Sequence, residues 1–210
     1  MSRKSGVLEL AVLGLLHESP LHGYELSKRL KAVLGPLRAI SYGSLYPCLS
    51  ELQRAGFITA DASASESGPG RRKKNVYKLT AEGKERLQEQ LAEGGPSAWE
   101  DEAFGVRFAF FSQTDADVRL RILEGRRTRL EERKANARTS ISSTREKLDR
   151  YTLELYNHGL ESVEREVRWL NELIATERDG VSARPHRRRA RTAATPTAAT
   201  LSSATEGDHR

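Results

Sequence analysis

The most constraining feature of the chain is a helical stripe that ends at a glycine and runs into two short extended segments. Leu45, Leu49 and Leu52 recur at helical spacing and predict a helix with one buried face. Gly56 follows at the position where helices commonly close in the left-handed conformation. The extended segments cover residues 57–60 and 75–79, and the loop between them ends in Arg71, Arg72, Lys73 and Lys74. We therefore predict a helix that leads into a β-hairpin with a basic tip.

Two apolar stripes upstream of this helix complete a three-helix core. The first runs from Leu8 to Leu16 and is ended by Pro20, and the second opens at Gly23. Three short helices followed by a hairpin are the layout of a winged helix-turn-helix. In that motif the third helix enters the major groove of DNA and the hairpin tip approaches phosphates. Thr80 is a good N-cap for a fourth helix, so we expect a DNA-binding domain over residues 1–92.

The side chains expected to face double-stranded DNA follow from this layout. Tyr46 is offset by one residue from Leu45, which places it on the margin of the buried face. Residues at the start of the third helix lie at the end that approaches bases in this motif, and lysines of the second helix can reach phosphates, although such lysines are usually only solvated. The candidates are Tyr24, Lys28, Lys31, Ser41, Tyr42, Ser44, Tyr46, Arg71, Arg72, Lys73 and Lys74.

Four motifs in this region resemble the PadR family of bacterial transcriptional regulators. They are Leu8-Glu-Leu-Ala-Val-Leu-Gly-Leu-Leu, Pro20-Leu-His-Gly-Tyr-Glu-Leu26, Gly43-Ser-Leu-Tyr-Pro47 and Tyr77-Lys-Leu-Thr-Ala-Glu-Gly83. The resemblance covers roughly residues 7–91 and follows the order of the family's motifs. It implies a winged-helix homodimer that usually represses transcription from a palindromic operator. It also implies that a small molecule often releases the repressor.

Charge is distributed unevenly along the 210 residues, whose formal net charge is +6. Residues 1–91 carry a net charge of +5, residues 92–180 carry −3, and residues 181–210 carry +4. A basic head and tail around an acidic middle are expected if the head meets phosphates and the middle meets protein. Charge alone is also compatible with a basic protein that has no role in nucleic-acid binding.

The middle of the chain, residues 114–180, is predicted to be helical and to associate with a second copy. A long amphipathic stretch reaches Leu155, and Asn157-His158-Gly159 is expected to interrupt it. The next helix has a strict 3-4-3-4 apolar seam, made of Leu160, Val163, Val167, Leu170 and Ile174. Two such helices are too narrow to form a core alone, so we expect homodimerisation. The alternative is a helical hairpin packed only on its own winged helix.

An aromatic-rich connector, residues 93–113, lies between the two regions. Aromatic side chains at this density most often form core, but an apolar pocket with a few polar groups is also how small-molecule sites are built. In the PadR family, which the chain resembles, effectors bind near the dimer interface. The candidate effector-binding residues are Trp99, Phe104, Arg107, Phe108 and Trp169.

The tail, residues 181–210, has an arginine cluster followed by a Thr/Ala/Ser run without apolar periodicity. Such a segment buries too little surface to offset the entropy of ordering, so we expect disorder. The arginines either add nonspecific affinity for phosphates or form a solvated terminus. The complete expectation is a mainly α chain with a small β-hairpin wing, in which an N-terminal winged helix-turn-helix precedes a C-terminal helical dimerisation region.

Other functional classes have little support in the sequence. Cys48 is the only cysteine, and the histidines lack the spacing of a metal site, so we expect neither a metal nor another cofactor. Gly68-Pro-Gly70 lacks the Lys-Ser/Thr of a phosphate-binding loop, and we expect no enzyme. No apolar run is long enough to cross a membrane, so a cytoplasmic location is expected. The alternative function is a helical adaptor whose winged helix recognises protein instead of DNA.

Overall fold

The computed structural model describes residues 3–34, 42–62, 75–144 and 148–182. The predictions for Ser41, for the basic hairpin tip at 71–74 and for the tail beyond Ser182 lie outside these residues. The helices are α1 (Arg3–Glu18), α2 (Gly23–Leu34), α3 (Tyr42–Arg54), α4 (Ala81–Ala92), α5 (Asp101–Ala109), α6 (Ala116–Thr144) and α7 (Arg150–Ser182). The strands are β1 (Leu21–His22), β2 (Ile58–Ala62) and β3 (Asn75–Leu79), and short 3-10 turns cover Pro96–Ala98 and Phe111–Gln113. The predicted fold class is confirmed: the chain is mainly helical, with a small antiparallel sheet behind a winged helix-turn-helix.

The core of the N-terminal head forms around α1, which packs against α2, α3, α4, α5 and β3. Because neighbours surround it, α1 is buried on most of its circumference instead of along one stripe, as Val12 and Leu13 show. The predicted inner faces of α2 and α3 are confirmed. Their fully buried side chains include Leu26, Leu30 and Leu45.

The sheet contains one strand that the sequence did not predict. Its order is β1-β3-β2 with antiparallel pairing, and β1 joins through the pair Leu21↔Tyr77. The predicted hairpin is present, with Ile58 opposite Leu79. The two-residue β1 is too short to show an alternating pattern. Its pairing partner is a strand more than fifty residues later, so nothing nearby in the sequence indicates it.

The link between the hairpin and α4 is fixed by local hydrogen bonds. The N–H of Gly83 donates to Oγ1 of Thr80 over 3.0 Å, which confirms Thr80 as the N-cap. The Thr80 hydroxyl in turn donates to the carbonyl oxygen of Gly56 over 2.8 Å. Gly56 has φ +79°, the left-handed conformation predicted for the end of α3. A Cβ at Gly83 would overlap the carbonyl oxygen of Phe57. Only glycine at position 83 therefore permits this close approach of α4 to the sheet.

The C-terminal half is an antiparallel pair of long helices, and the predicted interruption at Asn157-His158-Gly159 is wrong. Helix α7 is continuous from Arg150 to Ser182. It starts at Asp149, whose Oδ1 accepts hydrogen bonds from the N–H groups of Tyr151 and Thr152 over 2.9 and 3.0 Å. A single exposed glycine costs a helix about 1 kcal/mol, which is too little to end one that packs along α6. The chain therefore turns earlier, between α6 and Asp149.

The predicted seam of α7 is partly occupied within the chain. Val167, Leu170 and Ile174 are buried, while Leu160 and Val163 are half-buried. The three buried residues pack in one cluster with Ala98, Phe104, Val118, Ile122, Leu123 and Leu130. The expectation that the two helices cannot form a core alone missed α5 and the turn before it, which supply the third side of this core.

Helix α5 belongs to both halves of the molecule. Its Val106 and Phe110 lie in the core of the head with α1, whereas Phe104 lies in the core of the long helices. A Cβ at Gly14 would overlap the ring of Phe110, so the glycine in α1 makes room for that ring. None of the described helices has both the length and the apolar composition that crossing a membrane requires.

Candidate nucleic-acid interface

Helices α2 and α3 present a polar, aromatic surface on the side away from the core. Tyr24 is 71% exposed and Tyr46 is 47% exposed, although tyrosine rings are usually largely buried. Lys28, Lys31 and Ser44 are also exposed. We call these five residues the head face. Their helices hold them in place because the opposite side of each helix is buried in the core of the head.

Tyr46 connects the two helices of the head face. A Cβ built at Gly23 would lie 3.4 Å from the hydroxyl oxygen of Tyr46 and 3.4 Å from the ring of Tyr77. The ring of Tyr46 therefore reaches from α3 to the first residue of α2, and the absence of a side chain at Gly23 leaves it room. Tyr42 begins α3. The structure thus places Tyr46 of α3 beside the start of α2, the helix that carries Tyr24.

The described part of the hairpin adds one further basic group near its base. Lys78 of β3 forms an exposed ion pair with Asp61 of β2, with Nζ 2.5 Å from Oδ2. This pair neutralises the lysine and ties the two strands together across the sheet. The predicted basic tip is separate from it in sequence and lies beyond the described part of the hairpin.

The candidate effector residues separate into two groups. Phe104, Phe108 and Trp169 form an aromatic cluster, in which ring centroids of Trp169 lie 6.2 Å from Phe104 and 5.3 Å from Phe108. Phe111 extends this cluster, with its centroid 5.0 Å from Phe108. Trp169 remains 38% exposed, so one side of the cluster faces solvent.

Arg107 and Trp99 lie outside this cluster and contact α4 and α6 instead. Arg107 is buried, and its Nη1 donates to the carbonyl oxygens of Gln90 and Glu93 over 2.7 and 2.9 Å. Arg107 thereby supplies a donor to two carbonyl oxygens at the end of α4. Its Nη2 pairs with the Glu93 carboxylate over 3.0 Å. Burial lowers the pKa of this guanidinium despite the nearby carboxylate. Trp99 lies against α6, where a Cβ at Gly125 would overlap its ring.

A buried arginine that the sequence analysis missed joins the connector to both long helices. Arg126 is 7% exposed, and its Nε donates to Oε1 of Glu166 over 2.8 Å. Its Nη1 donates to the carbonyl oxygen of Trp99 over 3.1 Å and pairs with Asp101. The hydrogen bond from Arg126 holds the pKa of Asp101 below its ordinary value. No local pattern marks this arginine, since Glu166 is forty residues away in sequence.

Part of the head is similar to proteins of a described family. Residues 12–89 match the model of the transcriptional regulator PadR-like family. The chain is 33% identical over 90 residues to the negative transcriptional regulator PadR of Bacillus subtilis (strain 168). That match covers 43% of this chain and 48% of the relative, so it spans about half the length of the curated protein.

The chain also has similarity to solved structures of transcriptional regulators. The structure of Bacillus subtilis PadR in complex with operator DNA is 24% identical, with 81% of this chain and 97% of that chain covered and a TM-score of 0.39. The same protein in complex with p-coumaric acid is 24% identical, with 82% and 99% covered and a TM-score of 0.36. A putative transcriptional regulator from Thermoplasma acidophilum is 26% identical, with 53% and 94% covered and a TM-score of 0.37.

Proposed function

We propose that this chain, whose residues 12–89 match the model of the transcriptional regulator PadR-like family, is a sequence-specific DNA-binding regulator that represses transcription as a homodimer. The observation that carries the proposal is the head face. Two exposed tyrosines and two exposed lysines stand on helices whose other sides are fixed in a core. Repression is proposed because the similar curated protein is named a negative regulator.

The proposed contacts divide by chemistry. Lys28 and Lys31 are suited to phosphates because an ammonium on a flexible stem pairs with a backbone of any sequence. Ser44 and Tyr46, with Tyr42 at the start of α3, are suited to base edges in the major groove. We assign Tyr24 to the phosphates flanking α2. Ser41 and the basic hairpin tip, Arg71, Arg72, Lys73 and Lys74, complete the proposed interface.

The proposed homodimer pairs through the outer part of the two long helices. From Glu131 to Glu166 no described residue is buried, so this section, which we call the arm, has no core of its own. It nevertheless carries Tyr151, Leu155 and Tyr156, which are 82%, 70% and 48% exposed. A second copy related by a two-fold axis would cover this apolar surface, because an isologous contact lets one patch meet itself.

The five-residue seam of α7, which the sequence predicts to be the dimer contact, has two different roles in this proposal. Leu160 and Val163 remain available to a partner, because they are only half-buried in the single chain. Val167, Leu170 and Ile174 hold α7 against its own α6 and α5, and so they orient the arm from which the partner is reached. A two-fold dimer presents two heads to two half-sites, which fits a palindromic operator.

We further propose that a small-molecule effector acts at the aromatic cluster. Phe104 and Phe108 present their rings to Trp169, and the exposed side of Trp169 offers a stacking surface for an aromatic ligand. Arg107 and Trp99 take a supporting part, since they fix α4 and α6 on either side of the connector. The chain then divides into a DNA-binding domain (1–92), an aromatic connector (93–113), a dimerisation and effector region (114–180) and a basic tail (181–210).

The proposal is tested by binding the full-length protein to the DNA upstream of its own gene. In a gel shift we expect a discrete complex that survives an excess of random duplex, with two half-sites spaced by about one helical turn, ~34–36 Å, or a multiple of it. The matched comparison is Tyr46→Ala with Ser44→Ala, against Thr128→Ala on the exposed side of α6. Absence of binding to any duplex at low salt would favour the protein-recognising adaptor instead.

A further inference from the structure

A groove on the head opens between α1, α3 and α4, with a volume of about 510 Å³. Its floor is apolar and consists of Cys48, Leu52, Ala55 and Phe57. Its rim carries glutamates from all three helices, namely Glu9, Glu51, Glu82, Glu85 and Glu89, and one basic residue, Arg86. We call this feature the acidic groove. None of the functions proposed above uses it.

The negative charge of the acidic groove is only partly compensated. Arg86 is engaged by Glu9, with Nε 2.9 Å from Oε1, and by Glu89, with Nη1 3.4 Å from Oε2. Glu51, Glu82 and Glu85 form no hydrogen bond or ion pair with the residues that the structure describes. Three exposed carboxylates thus remain around one apolar floor. A positively charged occupant would meet attraction from Glu51 on α3 and from Glu82 and Glu85 on α4.

The floor indicates which kind of cation fits. Cys48 is more than nine-tenths buried, and its thiol has no hydrogen-bond partner among the described residues. Burial, together with Glu9 and Glu51, raises the pKa of this thiol to about 12. The groove therefore offers neutral apolar surface below and carboxylates above. An arginine matches both parts, because its aliphatic stem covers apolar surface while its guanidinium pairs with carboxylates.

A metal ion is a poorer occupant than a basic peptide. In the described ranges no set of His, Cys, Asp and Glu side chains has an arrangement that could hold a metal. The chain itself supplies the matching peptide. Residues 184–191 read Arg-Pro-His-Arg-Arg-Arg-Ala-Arg and contain no acidic residue. We propose that the acidic groove binds this arginine segment of the same chain.

The position where α7 ends supports an intramolecular contact. Glu177 in its last turns forms a bidentate pair with Arg119 at the start of α6, with distances of 2.9 and 2.7 Å. The next turn of α6 lies beside the end of α4, because a Cβ at Gly94 would be 3.2 Å from Nε of Arg121. Ser182 therefore leaves α7 on the side of the molecule where α4 ends.

The arginine segment is comparable in length to the row of acidic residues on α4. The acidic residues of α4 lie between Glu82 and Glu89, so the far end of the row is about 18 Å from Gly94 at 1.5 Å per residue. Arg187 and Arg191 follow Ser182 by five and nine residues, which span roughly 17 to 32 Å when extended. The extended arginine segment and the acidic row of α4 are thus of similar length.

Docking of this segment has a consequence for the proposed DNA contact. Cys48 and Leu52 in the floor belong to α3, the helix that also carries Ser44 and Tyr46 of the head face. An arginine held by the groove is neutralised there and does not reach phosphates. The groove and DNA then compete for the same segment, and the apparent affinity for nonspecific DNA falls when the groove is occupied.

The test measures protection of the tail in the full-length protein without DNA. Trypsin cleaves after the arginines of residues 187–191, and mass spectrometry gives the rate at each bond. We expect Glu51→Gln/Glu82→Gln/Glu85→Gln to be cleaved about tenfold faster than wild type, since three exposed ion pairs are lost. The matched control is Glu131→Gln/Glu132→Gln/Glu154→Gln on the arm, which removes the same charge elsewhere and should leave the rate unchanged.

A second readout follows the floor of the groove. Alkylation of Cys48 by the neutral reagent N-ethylmaleimide should accelerate when Arg187, Arg188, Arg189 and Arg191 are changed to Gln. Adding Glu82→Gln and Glu85→Gln, which do not act on the pKa of the thiol, to that variant should bring no further gain. Equal cleavage of wild type and the groove variant would overturn the proposal, as would acceleration by the arm control. Protection that falls on dilution would overturn the assignment to the same chain. None of these outcomes depends on DNA, so they are independent of the proposed regulatory function.

Discussion

Single residues fix the junctions of this molecule, and they differ in how visible they are in the sequence. Thr80 and Gly56 act within a few residues of their own position, through an N-cap and a left-handed helix end, so local patterns predict both. Arg107 and Arg126 act on partners 14 and 40 residues away. Their charges resemble those of any exposed helix position, and only the packed structure shows that they are buried.

The N-cap of α4 gives a prediction for stability. Thr80→Ala removes the acceptor for the N–H of Gly83 and the donor to the carbonyl oxygen of Gly56. We expect the free energy of unfolding to fall by about 1 kcal/mol, measured by urea denaturation. Thr128→Ala, at an exposed position within α6, is the matched control and should change it by less than about 0.5 kcal/mol. A Thr80→Ala protein as stable as the wild type would show that the cap is dispensable.

The buried arginine gives a second prediction, which includes a pH dependence. Arg126→Leu leaves the carbonyl oxygen of Trp99 and two carboxylates without their donor, and we expect a loss of about 3 kcal/mol. Arg129→Leu is the control, because that side chain is 48% exposed and 3.8 Å from its partner. Asp101 has its pKa lowered from 3.8 by the hydrogen bond from Arg126. Its contribution to stability is therefore present above pH ~4 and is lost as the pH falls below that value.

The measurement is urea unfolding of both proteins between pH 7 and pH 3. Wild type should lose stability more steeply than Arg126→Leu at the acidic end, because the variant lacks the hydrogen bond that is the largest cause of the lowered pKa of Asp101. Parallel curves would remove Asp101 from the pairing.

Elements were easier to predict than their ends or their partners. The stripes of α1, α2 and α3 and the hairpin follow from leucine spacing and turn residues, and all four are present. Strand β1 was missed because two residues carry no period. The break placed at Gly159 was wrong because packing against α6 outweighs one unfavourable residue. The burial of Val167, Leu170 and Ile174 within their own chain depended on α5, whose position no helical pattern reveals.

The head face gives a prediction at the level of α2. Replacing Lys28 by Ala should weaken binding to specific and random DNA alike, and should reduce the slope of log affinity against log salt by about 0.9. The reason is that one neutralised phosphate releases about one counterion. Lys84→Ala, which removes an exposed lysine from α4, is the matched control. Fluorescence anisotropy over a range of salt concentrations measures both. An unaltered slope for Lys28→Ala would remove α2 from the interface.

The whole molecule combines a compact head with an arm that has no buried residue in its described part. An exposed apolar surface of that kind marks an interaction site in a folded protein. Neither half is sufficient for the proposed function, since one head contacts too few bases to find a site in a genome. In the proposed dimer the arm would set the separation of the heads, and a ligand at the aromatic cluster would change their angle only by binding one arrangement more tightly.

The arm gives a prediction for assembly. Tyr151→Lys/Leu155→Lys places charges on the apolar surface and should convert a dimer into a monomer, measured by multi-angle light scattering. Thr128→Lys/Thr176→Lys adds the same charge to other exposed positions of α6 and α7 and should leave the dimer intact. Operator affinity should fall with the first pair and remain with the second. A dimer that persists with lysines at 151 and 155 would move the interface away from the arm.

The contact between Gly14 and Phe110 bears on how this chain could be divided or recombined. Val106 and Phe110 complete the core of the head although they lie beyond its fourth helix. A fragment that ends at Ala92 would therefore expose leucines of α1 to water. It would lack part of the core of the head, and not merely a linker. Exchange of C-terminal regions between related regulators would succeed only with a junction after Phe110. The winged helix and α5 thus form one structural unit that has to be transferred together.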